Sequence, residues 1–278
     1  MEGSEGEMMM PRILNYPGSK WSMASWIISH MPDHSTYLEP YFGSGAVFFN
    51  KSPSAVETIN DLDGQIVNLF RVLRDAPDDL ARVITFTPLA RAEYERSYQH
   101  TGEPLEDARR FLIRCWQGIG GKTSDRTGWR ALISANGPHV IREWDKLPQK
   151  LLIAAARLKQ AQIENQPALK LIDRYDRPDV LIYADPPYIL STRTKRHYAC
   201  EMTLQDHAEL LDRLRMFRGS VLLSAYHHPL YDQLINEGWK MEEFQAKAES
   251  GASRTEVLWI NPVAARTGFY QESLFDAE

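Results

Sequence analysis

Leu181-Ile182-Tyr183-Ala184-Asp185-Pro186-Pro187-Tyr188 closes an apolar run that opens at Val180. The run is short, apolar and bounded by an acid and two prolines, which predicts a buried central strand over residues 180–184. Proline cannot donate to a sheet ladder, so the strand ends at Asp185. Two consecutive prolines fix two φ angles and make the exit rigid. A carboxylate, two prolyl carbonyls and an aromatic ring are thereby held at the carboxyl end of a strand, where open α/β sheets bind their ligands. Asp-Pro-Pro by itself is also the ordinary end of a strand at a Pro-rich turn; the upstream features decide between the two.

Working outward, Thr36-Tyr37-Leu38-Glu39 reads as an earlier strand, followed by the glycine turn Pro40-Tyr41-Phe42-Gly43-Ser44-Gly45 and a helix opening at Ala46. Such a loop lets backbone approach a ligand closely, and the helix start favours polar or anionic groups. Residues 55–60 predict the next strand, closed by Asp61, and residues 62–74 a helix with Ile66, Leu69, Phe70 and Leu73 on one face. An acid ending the second strand after a glycine loop suits the two hydroxyls of a ribose. Asp61 is favoured for that role over Asp63, which sits in the helix start where an acid is expected for dipole reasons alone.

Further strands are expected over 162–165 and 220–225, and an antiparallel pair near the sheet edge over 239–246 and 255–260. Helices are expected over 21–31, 89–98, 105–116, 147–158, 168–175 and, capped by Thr203, to about residue 217. Strands alternating with helices in the flanks predict an α/β, doubly wound, Rossmann-like sheet, and the helical stretch between predicts an inserted second domain. The expected division is 11–76 and 160–270 for the sheet domain, 77–159 for the mainly helical insert, and acidic tails at 1–10 and 271–278.

The chain has 278 residues, 43% hydrophobic and 25% charged, a composition that supports a folded core. The net charge of −5 looks unsuited to nucleic acid. Its distribution says otherwise: the two tails hold six acids and no base, so residues 11–270 carry +1. Residues 105–130 hold six bases against three acids, in a stretch rich in glycine, hydroxyls and amide. Arg, Lys and Gln on such a loop can contact phosphates and base edges. No apolar run has transmembrane length, and the acidic start lacks a signal-peptide pattern, so a cytoplasmic protein is expected. Cys115 and Cys200 have no partner spacing, and His227-His228 has no third ligand, so no metal is expected. Gly121-Lys122-Thr123 resembles the end of a phosphate-binding P-loop, but Trp116 stands where its first glycine belongs.

Tyr16-Pro17-Gly18-Ser19-Lys20, Glu39-Pro40-Tyr41-Phe42-Gly43-Ser44-Gly45, Asn60-Asp61 and Asp185-Pro186-Pro187-Tyr188, in this order, resemble the Dam-type N6-adenine-specific DNA methyltransferases. The resemblance covers nearly the whole chain between the tails. Tyr16 and Pro17 stand where relatives often carry Trp and Ala. The resemblance implies a Rossmann-like methyltransferase sheet, S-adenosyl-L-methionine as methyl donor and double-stranded DNA as partner, with a target-recognition domain in the insert. It implies cofactor contacts at Tyr16, Lys20, Glu39, Phe42, Gly43, Gly45, Asp61 and Asp185, and catalysis by Asp185, Pro186, Pro187 and Tyr188. Lys122, Arg126, Arg130, Arg193, Lys195 and Arg196 are the expected DNA contacts, from the two basic loops. Asp185 and the Pro186 carbonyl, as acceptors for the two hydrogens of an exocyclic amine, would equally serve the N4 amine of cytosine. The residues are also compatible with RNA as substrate, or with a silent regulator that binds DNA or cofactor.

Overall fold

The apolar run does form a strand, with all five residues of Val180–Ala184 buried. Its side chains alternate between two cores. Leu181 and Tyr183 enter one buried cluster, while Val180, Ile182 and Ala184 enter another on the opposite face. The computed structural model describes residues 10–121, 125–131, 140–190, 198–247 and 253–266.

The strands are β1 (Thr36–Glu39), β2 (Val56–Asn60), β3 (Gln162–Glu164), β4 (Val180–Ala184), β5 (Ser220–Ala225), β6 (Lys240–Lys247) and β7 (Ser253–Ile260). They form a seven-stranded sheet in the order β3-β2-β1-β4-β5-β7-β6. The first five are parallel, and β7 runs antiparallel to both β5 and β6. The order reverses between β1 and β4, in register Thr36↔Val180 to Leu38↔Ile182. That reversal opens a crevice at the carboxyl ends of both strands. The glycine turn after β1 and Asp185 after β4 flank it.

The helices are α1 (Ala24–Ser29), α2 (Ala46–Asn50), α3 (Gly64–Asp75), α4 (Pro77–Thr85), α5 (Arg91–Arg96), α6 (Pro104–Gln117), α7 (Val140–Leu158), α8 (Ala168–Arg174), α9 (Leu204–Met216), α10 (Pro229–Asn236) and α11 (Pro262–Arg266). Three were not anticipated from the sequence: α4, α10 and the short α11. The α4 helix has Pro at its start and Asp78 and Asp79 in its first turn, which are standard helix-opening signals. The α10 helix starts at Pro229, with His228 Nδ1 accepting the Leu230 N–H at 3.1 Å. Its neighbour His227 pairs with Glu243 at 2.8 Å. The α7 helix begins seven residues earlier than expected and continues through Pro148. A proline inside a helix costs about 3 kcal/mol; burial of Trp144 and Leu147 beside it opposes that cost.

Helices α4, α6 and α7 share one buried cluster with the sheet, in which Trp116, Trp144 and Leu151 join Phe42, Phe70 and Leu222. Two indole N–H groups tie this layer down: Trp116 donates to the Ile13 carbonyl at 3.0 Å and Trp144 to the Thr87 carbonyl at 2.9 Å. Among the described residues, no helix is long and apolar enough to cross a membrane.

Candidate active site

The 42–45 turn is built by glycine and held by Asp61. Gly43 and Gly45 have φ of +50° and +67°, values that side-chain-bearing residues rarely adopt. A Cβ on Gly45 would lie 2.5 Å from the Phe42 ring and 2.8 Å from the Phe49 ring, so the turn closes onto buried aromatics. Asp61 Oδ2 accepts the Gly43 N–H at 2.8 Å, and Oδ1 accepts the Asp63 N–H at 2.9 Å. Each oxygen keeps a further lone pair for a ligand hydroxyl. Burial pushes the Asp61 carboxyl up to about 6, with backbone N–H bonds from Asp63, Gly43 and Leu62 opposing and the Asp63 charge adding to it. Asp63 caps α3 through the Gln65 N–H, and its other carboxylate oxygen is buried without a hydrogen-bond partner.

The first motif packs against this turn. Ser19 and Ser44 share a hydroxyl hydrogen bond at 2.9 Å, and the Tyr16 ring lies against Gly43. Together with residues 198–202 these segments enclose a cavity of about 790 Å³, counted to its open mouth. Tyr16, Lys20, Glu39, Phe42, Gly43, Asp61, Asp185 and Pro187 line it, and so does Asp63. Gly45 shapes the turn behind the wall, and Pro186 and Tyr188 lie outside the lining. Glu39 is buried with the Tyr37 hydroxyl donating to it at 2.7 Å; burial pushes its carboxyl up to about 8. A glycine cradle, an unpartnered buried carboxylate oxygen and an acidic lining fit a cationic ligand with hydroxyl and amine donors.

Asp185 closes the other side. Lys20 Nζ lies 3.0 Å from Asp185 Oδ1 and 3.9 Å from Glu256 Oε2. It also donates to the Gly18 carbonyl at 2.9 Å and sits 4.7 Å above the Tyr188 ring. Burial works against the Lys20 ammonium, but Asp185 and Glu256 outweigh it and raise its pKa. Burial raises the Asp185 carboxyl, with Lys20 opposing. The Tyr188 hydroxyl donates to Glu256 at 2.8 Å, and its ring packs edge-on against Tyr226 at 4.3 Å.

The profile of the D12 class N6 adenine-specific DNA methyltransferases matches residues 16–250. The chain belongs to that family. It is an adenine-specific DNA methyltransferase, and its substrate is DNA. Among curated relatives, the type II methyltransferase M1.LlaDCHI of Lactococcus lactis subsp. cremoris is 21% identical, over 85% of this chain and 88% of its own. A DNA adenine methylase of Vibrio cholerae is 22% identical over 88% and 92%. An rRNA methylase structure from Streptococcus thermophilus aligns over 86% of this chain and 94% of its own at 7% identity, with a TM-score of 0.38.

This site of the methyltransferase includes an acid that the sequence reading missed. Glu256 sits on β7, beyond the span matched by the family profile. An acid beside the apolar stretch Val257-Leu258-Trp259-Ile260 was the available signal. The expected DNA contacts divide. Lys122, Arg193, Lys195 and Arg196 lie outside the described residues. Arg126 stacks on the Tyr98 ring at 5.2 Å, and the Arg130 N–H bonds the Gln117 carbonyl at 2.8 Å. Both belong to a loop closed by the Gly118↔Trp129 bridge and pinned by the Tyr94 hydroxyl, 2.7 Å from the Thr127 carbonyl. Among the described residues, no cluster of three or more His, Cys, Asp or Glu could hold a metal ion.

Proposed function

We propose that the cavity at the β1/β4 crevice holds S-adenosyl-L-methionine, and that Asp185 with the Pro186 carbonyl receives the N6 amine of an adenine turned out of duplex DNA. The observation that carries this reading is Asp185 itself, at the cavity wall after a central strand and facing the glycine cradle. S-adenosyl-L-methionine would supply a methyl group already activated on a sulfonium. Asp61 would accept its ribose hydroxyls, with Tyr16, Phe42 and Gly43 packing around it and Glu39 and Asp63 offering further acceptors.

Adenine's exocyclic amine is a poor nucleophile because its lone pair is delocalised into the ring. Asp185 accepts one amine hydrogen and the Pro186 carbonyl the other. Two such bonds favour a tetrahedral nitrogen and stabilise the positive charge that grows on it as it attacks. Pro186 and Pro187 keep the acceptors from drifting, so the protein's contribution is preorganised charge and in-line positioning. Tyr188 supplies a ring for the base to stack on. A base inside a duplex is out of reach, so it must be extruded. Phosphate contacts from Arg126 and Arg130, with Lys122, Arg193, Lys195 and Arg196, would hold the opened DNA. Residues 77–159, and the 117–131 loop above all, would read the target sequence.

Purified Asp185→Ala protein, given tritiated S-adenosyl-L-methionine and unmethylated DNA, is expected to retain its fold and lose methyl transfer. Wild-type-like transfer by that variant sinks the mechanism. Methylome sequencing of a host expressing the chain would identify the recognition sequence.

A further inference from the structure

Lys20 occupies a place that another group needs. Its ammonium lies against the Asp185 oxygen and above the Tyr188 ring. A base whose amine bonds Asp185 and whose ring stacks on Tyr188 claims that same volume. Lys20 is only 5% exposed, so displacing it from Asp185 without a new carboxylate partner would leave a buried charge uncompensated. The available partner is Glu256 Oε2, at 3.9 Å. A shift of about 1 Å turns that separation into a charge-assisted hydrogen bond. Glu256 cannot make the move itself. It rides on β7, which is paired on both sides, with Glu256 opposite Phe244 and Val257 opposite Ala225, and it holds the Tyr188 and Tyr226 hydroxyls. Lys20 follows the Gly18 turn on four rotatable methylenes. The acid is the fixed post and the lysine the arm.

We propose that Lys20 and the target amine compete for Asp185, and that Glu256 is the positioning residue that receives Lys20 when the amine displaces it. This rests on the reading of Asp185 as the amine acceptor. The charged and titratable groups facing Asp185 are Lys20, Glu39, Tyr183, Tyr188 and Glu256. Lys20 is the cation of that set, and it carries both the support of the Asp185 charge and the competition for it.

The test is a double-mutant cycle on the full chain, read as kcat and KM for unmethylated phage DNA with tritiated S-adenosyl-L-methionine. Glu256→Gln keeps an oxygen for the Tyr188 hydroxyl, turns its NH2 toward the more distant Tyr226 hydroxyl oxygen, and removes the charge. It is expected to raise KM for DNA about tenfold or more, with kcat held within about threefold and cofactor affinity unchanged by calorimetry. Glu256→Asp is expected to restore most of the loss. Lys20→Met removes the competitor and the support together: its activity is expected to shift to higher pH, and adding Glu256→Gln to it should leave KM for DNA within about twofold. Equal KM increases in both backgrounds, or none in either, overturn the proposal. So does a Lys20→Met protein that binds cofactor yet is inactive at every pH from 6 to 9, because the ammonium then belongs to the chemistry. Full transfer by Asp185→Asn would instead retire the acceptor reading, a separate and distinguishable failure.

Discussion

Replacing Asp61 with asparagine exchanges one carboxylate oxygen for an amino group and leaves the outline of the side chain intact. Both oxygens are in use, one on the Gly43 N–H at 2.8 Å and one on the Asp63 N–H at 2.9 Å. The new amino group must face one of those donors, which costs about 1–3 kcal/mol. Against this, the ionised carboxylate is held at a disadvantage. Burial lifts it to about 6, two units above an ordinary aspartate, or roughly 3 kcal/mol at neutral pH that asparagine does not carry. The two effects nearly cancel, so urea melts near pH 7.5 should show Asp61→Asn as stable as the wild type or slightly more so. The sign of the pH dependence follows. Between about 6 and 4 the folded state binds more protons at Asp61 than the unfolded chain, so this group's contribution to stability rises as pH falls through that window. The advantage of the asparagine variant should vanish by pH 4. Cofactor binding should behave oppositely, because ribose hydroxyls donate best to an ionised acceptor. Losing about 1.5–3 kcal/mol of charge-assisted bonding weakens affinity for S-adenosyl-L-methionine about 10- to 150-fold by calorimetry. Unchanged affinity would move the ribose role to Asp63. A loss of 3 kcal/mol or more of stability near pH 7.5 would refute the balance drawn from burial.

Gly45→Ala places an alanine at a φ of +67° with its Cβ 2.5 Å from the Phe42 ring. Left-handed strain of about 1–2 kcal/mol and overpacking of about 1–3 kcal/mol predict a total loss of about 2–5 kcal/mol in urea melts. Tyr94→Phe removes the hydroxyl that pins the Thr127 carbonyl and Tyr98; DNA affinity should fall by about tenfold with cofactor affinity unchanged, since one buried bond is worth about 0.5–1.5 kcal/mol and its orphaned partners more. Glu39 is held up to about 8 and so is largely protonated at pH 7. A cationic ligand beside it favours the carboxylate, so binding S-adenosyl-L-methionine near pH 7 should release protons, by up to one per site. Calorimetry in buffers of different ionisation enthalpy reads this directly, and zero release would separate Glu39 from the bound charge.

What the sequence disclosed depended on how local each cause was. The Val180–Ala184 strand was legible to the residue, because its apolar run and its two prolines lie side by side. The glycine turn and Asp61 were legible for the same reason, and the Gly43–Asp61 bond joins them as the strand order requires. The α4 helix went unread although Pro77, Asp78 and Asp79 announce its start, because its nine residues offer a short apolar stripe whose partners lie far along the chain. Packing of the 77–159 helices onto the sheet was equally invisible, since the bond from Trp116 to Ile13 spans 103 residues.

The site shows the same division, with a consequence for its chemistry. Read along the chain, Asp185 looks like a lone acid with nothing beside it to share its charge. In space it belongs to a group of two acids and one ammonium, and the second acid comes from 68 residues beyond Tyr188. One cation between two carboxylates cannot satisfy both fully in a buried setting. The surplus negative charge raises Lys20, and burial raises Asp185. On the proposed reading, Lys20 supports the Asp185 charge until the amine arrives, and Glu256 then receives Lys20. An isolated aspartate at the same strand end would tend to take up a proton on burial, and a protonated carboxyl accepts an amine hydrogen poorly. On that reading Lys20 is what favours the charged, accepting form of Asp185 at its half-buried place in the cavity wall.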